Sequence, residues 1–142
     1  GKLYDKQAQA LLEAQPCPNV KQMPFISRMD MAYKVADLVI SRAGASSISE
    51  LCLLEKPVIL VPSPNVAEDH QTKNALALSS RNAALLITDD KAREELVPQA
   101  LRLINDDVQL LSMSNNISNM AQHNSAQRIV DELCRVVEEN DK

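Results

Sequence analysis

Arg42, Gly44, Ala45, Ser46, Ser47 and Glu50 follow one another closely at the end of the apolar run LVIS, residues 38–41. His70, Gln71 and Asn74 follow a second apolar run, PVILV, residues 57–61. Gly44, one of only two glycines in the chain, lets a turn bend freely and a ligand approach the backbone closely. A helix that starts just after it presents backbone N–H groups with no internal partner. Together with the helix dipole they make an anion site, typically for phosphate, to which the Ser46 or Ser47 hydroxyl can add a donor. Glu50, one turn further on, has a carboxylate that can accept from two vicinal hydroxyls, as on a ribose. A phosphate-binding helix start with a carboxylate one turn on suggests a nucleotide diphosphate. Ser47-x-x-Glu50 fits a capping box equally well, and that would satisfy the same amides with no ligand at all.

The second cluster sits in the stretch PSPNVAEDHQ, residues 62–71, a long polar loop for a compact domain and therefore a candidate for function. Gln71 can both donate and accept, which suits sugar hydroxyls. Asp69 reads either as part of the site or as a helix cap, and His70 either as a ligand contact or as a surface residue. No nucleophile–base pair and no metal-ligand spacing emerges from these residues.

Elements that would position both clusters can be read from periodicity. Apolar strands are expected at 38–41, 57–61 and 83–87, the first with both faces buried because its residues do not alternate. Helical spacing is expected at 5–14, 30–36 (with Asp30 as cap), 46–55 and 69–80, then at 91–104, 107–122 and 125–139. In the helix at 46–55, Ile48, Leu51, Cys52 and the stem of Glu55 share a face. VKQMPF, residues 20–25, reads as a short strand. Strands alternating with helices imply βαβ units, hence an α/β fold on a parallel, Rossmann-like sheet. Ligands gather beyond the C-terminal ends of such strands, where both polar clusters lie.

Composition narrows the function. The 142 residues suit one domain with a core, and 45% apolar content argues against disorder. Aromatics are scarce (Tyr4, Phe25, Tyr33) and the net charge is −4 without a Lys/Arg cluster, both of which disfavour nucleic acid. Cys17, Cys52 and Cys134 are odd in number and widely spaced, so they read as buried or incidental thiols of a reducing cytoplasm. No apolar run approaches the length of a membrane span. Gly1-Lys2-Leu3-Tyr4 is no signal peptide and reads as an abrupt start, as if cut from a longer chain.

With both clusters on the page, the run ADLVISRAGASSISEL…KPVILVPSPNVAEDHQTKNA resembles the C-terminal domain of the MurG family of N-acetylglucosaminyltransferases. The likeness extends from about residue 18 to residue 137, and the paired motifs R-x-G-A-x-x-x-x-E and D-H-Q-x-x-N-A carry it. The resemblance implies the C-terminal half of a GT-B fold lacking its first strand or strands, with residues 1–142 as a partial UDP-GlcNAc-binding domain and the N-terminal acceptor domain absent. It implies transfer of GlcNAc from UDP-GlcNAc to lipid I, giving lipid II for peptidoglycan, on the cytoplasmic face of the bacterial inner membrane as a peripheral enzyme. UDP-GlcNAc is then a substrate, no cofactor or metal is expected, and nucleic acid is not a partner.

Carried over by position, Ile26 meets the uracil through its backbone, with Met29 nearby. Gly44, Ala45, Ser46 and Ser47 face the diphosphate, and Arg42 is the basic residue before the glycine. Glu50 holds the ribose, Gln71 with His70 contacts the GlcNAc hydroxyls, and Asn74 fixes the same helix. No catalytic residue is expected within the chain. Three rival readings remain: a UDP-GlcNAc 2-epimerase-like enzyme, a non-catalytic donor-binding subunit of a split transferase, and an unrelated α/β domain whose caps imitate a nucleotide site.

Overall fold

The computed structural model describes residues 4–64, 69–123 and 125–140. It divides into two compact units, Gly1–Val35 and Ala36–Lys142.

In the first unit, the helix formers of DKQAQALLEA give α1 (Asp5–Ala14), which ends at Gln15, just before Pro16 and Pro18. Gln22 donates to the Asp5 carboxylate and so folds the following segment back on the first turn of α1. The expected strand at 20–25 does not form. The Val20 N–H closes a turn onto the Cys17 carbonyl at 2.9 Å. The only sheet among the described residues is built from other segments, so 20–25 has no ladder to join. α2 (Met29–Val35) starts one residue earlier than its sequence suggests. Asp30 is therefore inside the first turn and not its cap. It pairs with the Arg28 guanidinium at 2.7 Å, which holds the Asp30 carboxyl below the usual carboxylate range.

The second unit carries a three-stranded parallel sheet in the order β1-β2-β3: β1 (Val39–Ser41), β2 (Val58–Leu60) and β3 (Leu85–Leu86). Val39 pairs with Val58 and Ser41 with Leu60, while Ile59 pairs with Leu85. Helices α3 (Ala45–Leu53) and α4 (His70–Ser79) make the crossovers. α5 (Asp89–Ile104), α6 (Asp107–Ser118) and α7 (Ser125–Asn140) follow. All three strands lie where apolar runs predict them, but only β2 is buried throughout. Among the described residues β1 has a strand on one side only, and Ile40 is 48% exposed, so the expectation of two buried faces fails there.

The core joins Ile59 and Ile87 to Leu103 of α5 and Met113 of α6, with Ala92, Leu96, Ala100 and Leu110 packed around them. Positions 92, 96, 100 and 103 recur at helical spacing, so one stripe of α5 meets the sheet. Glu55 does not sit on the apolar face of α3. It lies beyond the helix end, exposed, at φ 55°. Of the cysteines, Cys52 is buried and its thiol pKa is pushed up by that burial, whereas Cys17 and Cys134 are exposed. Among the described residues no helix is long and apolar enough to cross a membrane.

Candidate functional site

The chain leaves β1 at Ser41 and enters α3 through three residues, Arg42, Ala43 and Gly44. Gly44 is the N-cap, its carbonyl accepting the first intrahelical bond from Ile48 N–H at 3.0 Å. No side chain caps the helix. Ser47 is already the third helical residue, so the capping box does not form: its serine falls inside the helix instead of ahead of it. The leading amides of α3 therefore lack the side-chain partner that the alternative reading supplied.

Gly44 has ordinary extended angles, φ −68° and ψ 144°, so the turn does not need glycine for its conformation. Nor does packing among the described residues require it, because beyond its chain neighbours a methyl added there would meet nothing within 4 Å. What remains of the glycine argument is open space directly in front of the helix start.

Two side chains from α4 hold this turn. Gln71 Oε1 accepts from Ala43 N–H at 3.2 Å and from Ser63 N–H at 2.9 Å. Asn74 Nδ2 donates to the Ala43 carbonyl at 3.2 Å. Both polar groups of the fully buried Ala43 peptide positions are thus fixed from the neighbouring helix. α4 can do this because it starts at His70, which puts Gln71 in its first turn and Asn74 almost one turn on, on the same face. Asp69 is the N-cap of α4, at φ 55°, but its side chain does not cap it. With Oε1 committed to two backbone donors, Gln71 has its amide Nε2 to offer a ligand.

A third clamp comes from Arg42. Its Nη1 donates to the Val61 and Pro62 carbonyls, both at 3.3 Å, and is ion-paired with Asp89, the first residue of α5. Sequence reasoning placed the start of this helix later and missed Asp89. The pattern Thr88-Asp89-Asp90 ahead of an apolar stripe was the available signal. Asp90 is held below the usual carboxylate range by its hydrogen bond with Thr88.

Arg42, Gly44, Gln71 and Asn74 are therefore joined in one arrangement at the C-terminal ends of β1 and β2. Ala45, Ser46 and Ser47 form the first turn of α3, with Ser46 exposed, and Glu50 is exposed further along the same helix. His70 is exposed at the first position of α4. Ile26 and Met29 belong to the first unit: Ile26 lies in the stretch before α2 and Met29 opens that helix, both partly exposed. The middle of the long polar loop, residues 65–68, lies outside the described residues. A cavity of about 380 Å³ is lined by Pro62, Pro64, Asp69, Thr72, Asp89 and neighbours. Among the described residues no cluster of three or more His, Cys, Asp or Glu is placed to hold a metal ion.

Comparison with known proteins gives concordant findings. The glycosyltransferase family 28 C-terminal domain matches residues 1–133. A UDP-N-acetylglucosamine–N-acetylmuramyl-(pentapeptide) pyrophosphoryl-undecaprenol N-acetylglucosamine transferase of Parabacteroides distasonis is 57% identical over 138 residues, 97% of this chain and 38% of that protein. A protein of the same name from Porphyromonas gingivalis is 58% identical over 138 residues, 97% of this chain and 36% of its own length. The crystal structure of Acinetobacter baumannii MurG matches with a TM-score of 0.83 at 31% identity, covering 95% of this chain and 41% of that one. The chain thus spans well under half the length of these relatives.

Proposed function

Because the chain belongs to the glycosyltransferase family 28 C-terminal domains, we propose that it is the donor-binding half of a GT-B enzyme that transfers GlcNAc from UDP-GlcNAc to lipid I, giving lipid II. The acceptor domain is the counterpart of the remaining length of its relatives. The observation that carries this reading is the uncapped start of α3, open in front of Gly44 and held rigid from α4. Amides fixed in advance and, among the described residues, without a side-chain cap suit an external anion.

In this reading the amides of Ala45, Ser46 and Ser47 meet the pyrophosphate and Glu50 takes the ribose hydroxyls. Gln71 uses its Nε2 on the GlcNAc hydroxyls, with His70 beside it, and Asn74 secures the turn. Ile26 meets the uracil through its backbone, with Met29 nearby. The acceptor's muramyl C4 hydroxyl attacks C1 of GlcNAc, the bond to the pyrophosphate oxygen breaks, and the configuration at C1 inverts. UDP departs with the bonding electrons, and the hydroxyl proton passes to a base outside this chain. The growing charge on the leaving group is met by amides that need no reorganisation. The reaction so drawn requires neither metal nor cofactor.

The partners are UDP-GlcNAc and lipid I, not nucleic acid. Since lipid I is membrane-bound, the enzyme works as a peripheral protein on the cytoplasmic face of the bacterial inner membrane, within cell-wall biogenesis and hence growth in shape and division. The names of the relatives favour transfer over epimerisation. The test uses the full-length enzyme with labelled UDP-GlcNAc and lipid I. Lipid II with inverted configuration is expected; conversion of UDP-GlcNAc to the manno sugar in the absence of acceptor would replace this reading with the epimerase. In the same enzyme, Glu50→Ala is expected to cost UDP binding about 1–3 kcal/mol by calorimetry, the usual loss of charged hydrogen bonds. Unchanged UDP affinity removes the ribose role.

A further inference from the structure

We propose that Asp89 is a positioning residue of the donor site and acts through Arg42; this rests on the donor reading above. Asp89 opens α5, which follows β3, two strands along the sheet from the β1 that leads into the turn carrying Arg42. Its carboxylate pairs with Arg42 Nη1, and the same nitrogen donates to the carbonyls of Val61 and Pro62 at 3.3 Å. One guanidinium therefore ties the β1–α3 turn to the exit of β2 and to the start of α5. Gln71 joins the same two segments by a separate route, through Ala43 N–H and Ser63 N–H. The turn that aims the α3 amides is cross-braced twice, once by a neutral amide and once by a charge pair.

The charge pair has the features of a site device. Its side chains are 55% and 38% exposed, and ion pairs so open to solvent add little to folding. The planar guanidinium, however, has a fixed direction, and Arg42 Nη1 shares its two hydrogens among the two backbone carbonyls and the Asp89 carboxylate, which sets that direction from three sides. The pairing also places Arg42's charge at the ends of the strands instead of leaving a bare carboxylate beside an anion site. Asp89 has one competing role, as an acidic residue in the first turn of a helix, where it would favour the α5 dipole without involving Arg42.

A double-mutant cycle separates the two in the full-length enzyme, with UDP as the calorimetric probe. Asp89→Asn is expected to weaken UDP binding about three- to tenfold, the range for residues coupled through a shared partner. The donor KM should rise to match, while the acceptor KM and the thermal midpoint stay at their wild-type values. Asp89→Glu should recover most of the loss. In an Arg42→Gln background, Asp89→Asn should add nothing. Multiplying losses in the double variant would overturn the proposal in favour of the dipole role. A fall in thermal midpoint with equal effects on both substrates would overturn it in favour of plain stability. A wild-type enzyme that fails to bind UDP removes the donor reading and this proposal with it. Normal UDP binding by wild type and Asp89→Asn alike removes this proposal alone.

Discussion

The two ends of α3 and α4 are built differently. At their C-terminal ends the chain closes on itself. Lys56 N–H bonds the Leu51 carbonyl at 3.1 Å and Ala83 N–H bonds the Leu78 carbonyl at 3.0 Å, each around a left-handed residue, Glu55 and Asn82. α6 then secures both corners: Ser114 Oγ donates to the Glu55 carbonyl at 2.7 Å and Asn116 Nδ2 to the Asn82 carbonyl at 3.2 Å. At their N-terminal ends neither helix has a side-chain cap, although Asp69 stands at the capping position of α4. The polar side chains there brace the backbone from outside the helix and leave its leading amides uncapped. One end spends its polar groups on closing helices, the other on aiming them. α1 and α5 also start without a side-chain cap, so what sets the starts of α3 and α4 apart is their place together at the C-terminal ends of β1 and β2, the edge where parallel α/β sheets bind ligands.

The contrast breaks most visibly at Gln71, which serves both purposes. Gln71→Ala removes the acceptor for two backbone donors, one of them on the buried Ala43. Denaturant unfolding should show a loss of about 1–3 kcal/mol for the Ala43 amide alone, and UDP affinity should fall with it. Gln71→Glu keeps the acceptor, so stability should largely return, while the lost amide donor and the added charge keep donor affinity low. A Gln71→Ala enzyme with wild-type stability would show that the brace does not hold. Sequence reasoning assigned Gln71 a sugar contact alone; the brace adds a role in holding the turn.

Gly44 sharpens the comparison from the other direction. Its backbone needs no glycine, and among the described residues beyond its chain neighbours an added methyl meets nothing within 4 Å. Gly44→Ala should therefore cost folding no more than about 1 kcal/mol, the scale for alanine at an N-cap. It should cost UDP binding about 1–3 kcal/mol, the scale of an overfilled contact. If calorimetry gave wild-type UDP affinity for this variant, the space before α3 would not be where the ligand lies.

How much of this was legible in the sequence depends on the range of the interaction. β2 was legible because PVILV is apolar on both faces and stays buried on both. β1 was misread because the same apolar run cannot reveal that Ile40 lies on an edge strand; that depends on which strands are neighbours. The predicted strand at 20–25 failed for the same reason, since a strand exists only with a partner. The R-x-G-A and D-H-Q clusters were legible as a ligand edge because strand ends place them together. The links between Gln71 and Ala43, or Arg42 and Asp89, span 28 and 47 residues, and no periodicity carries such pairings. Ser47-x-x-Glu50 misled because the capping box is defined by where the helix starts, and α3 starts three residues early for it.

The smallest expected effect lies at the closed end. Glu55 is a non-glycine residue at φ 55°, in the region where a Cβ crowds the following carbonyl. The two bonds that define its corner, Lys56 N–H to Leu51 and Ser114 Oγ to the Glu55 carbonyl, use backbone atoms at residue 55 or avoid it altogether. Glu55→Gly therefore relieves strain without removing either. The gain is offset in part by the greater freedom of glycine in the unfolded chain, leaving about 0.5–1 kcal/mol of added stability. Denaturant unfolding should show a higher midpoint with the same slope, and UDP affinity should not move. A change in UDP affinity would mean that the two helix ends are coupled along α3, and that closing one end helps to aim the other.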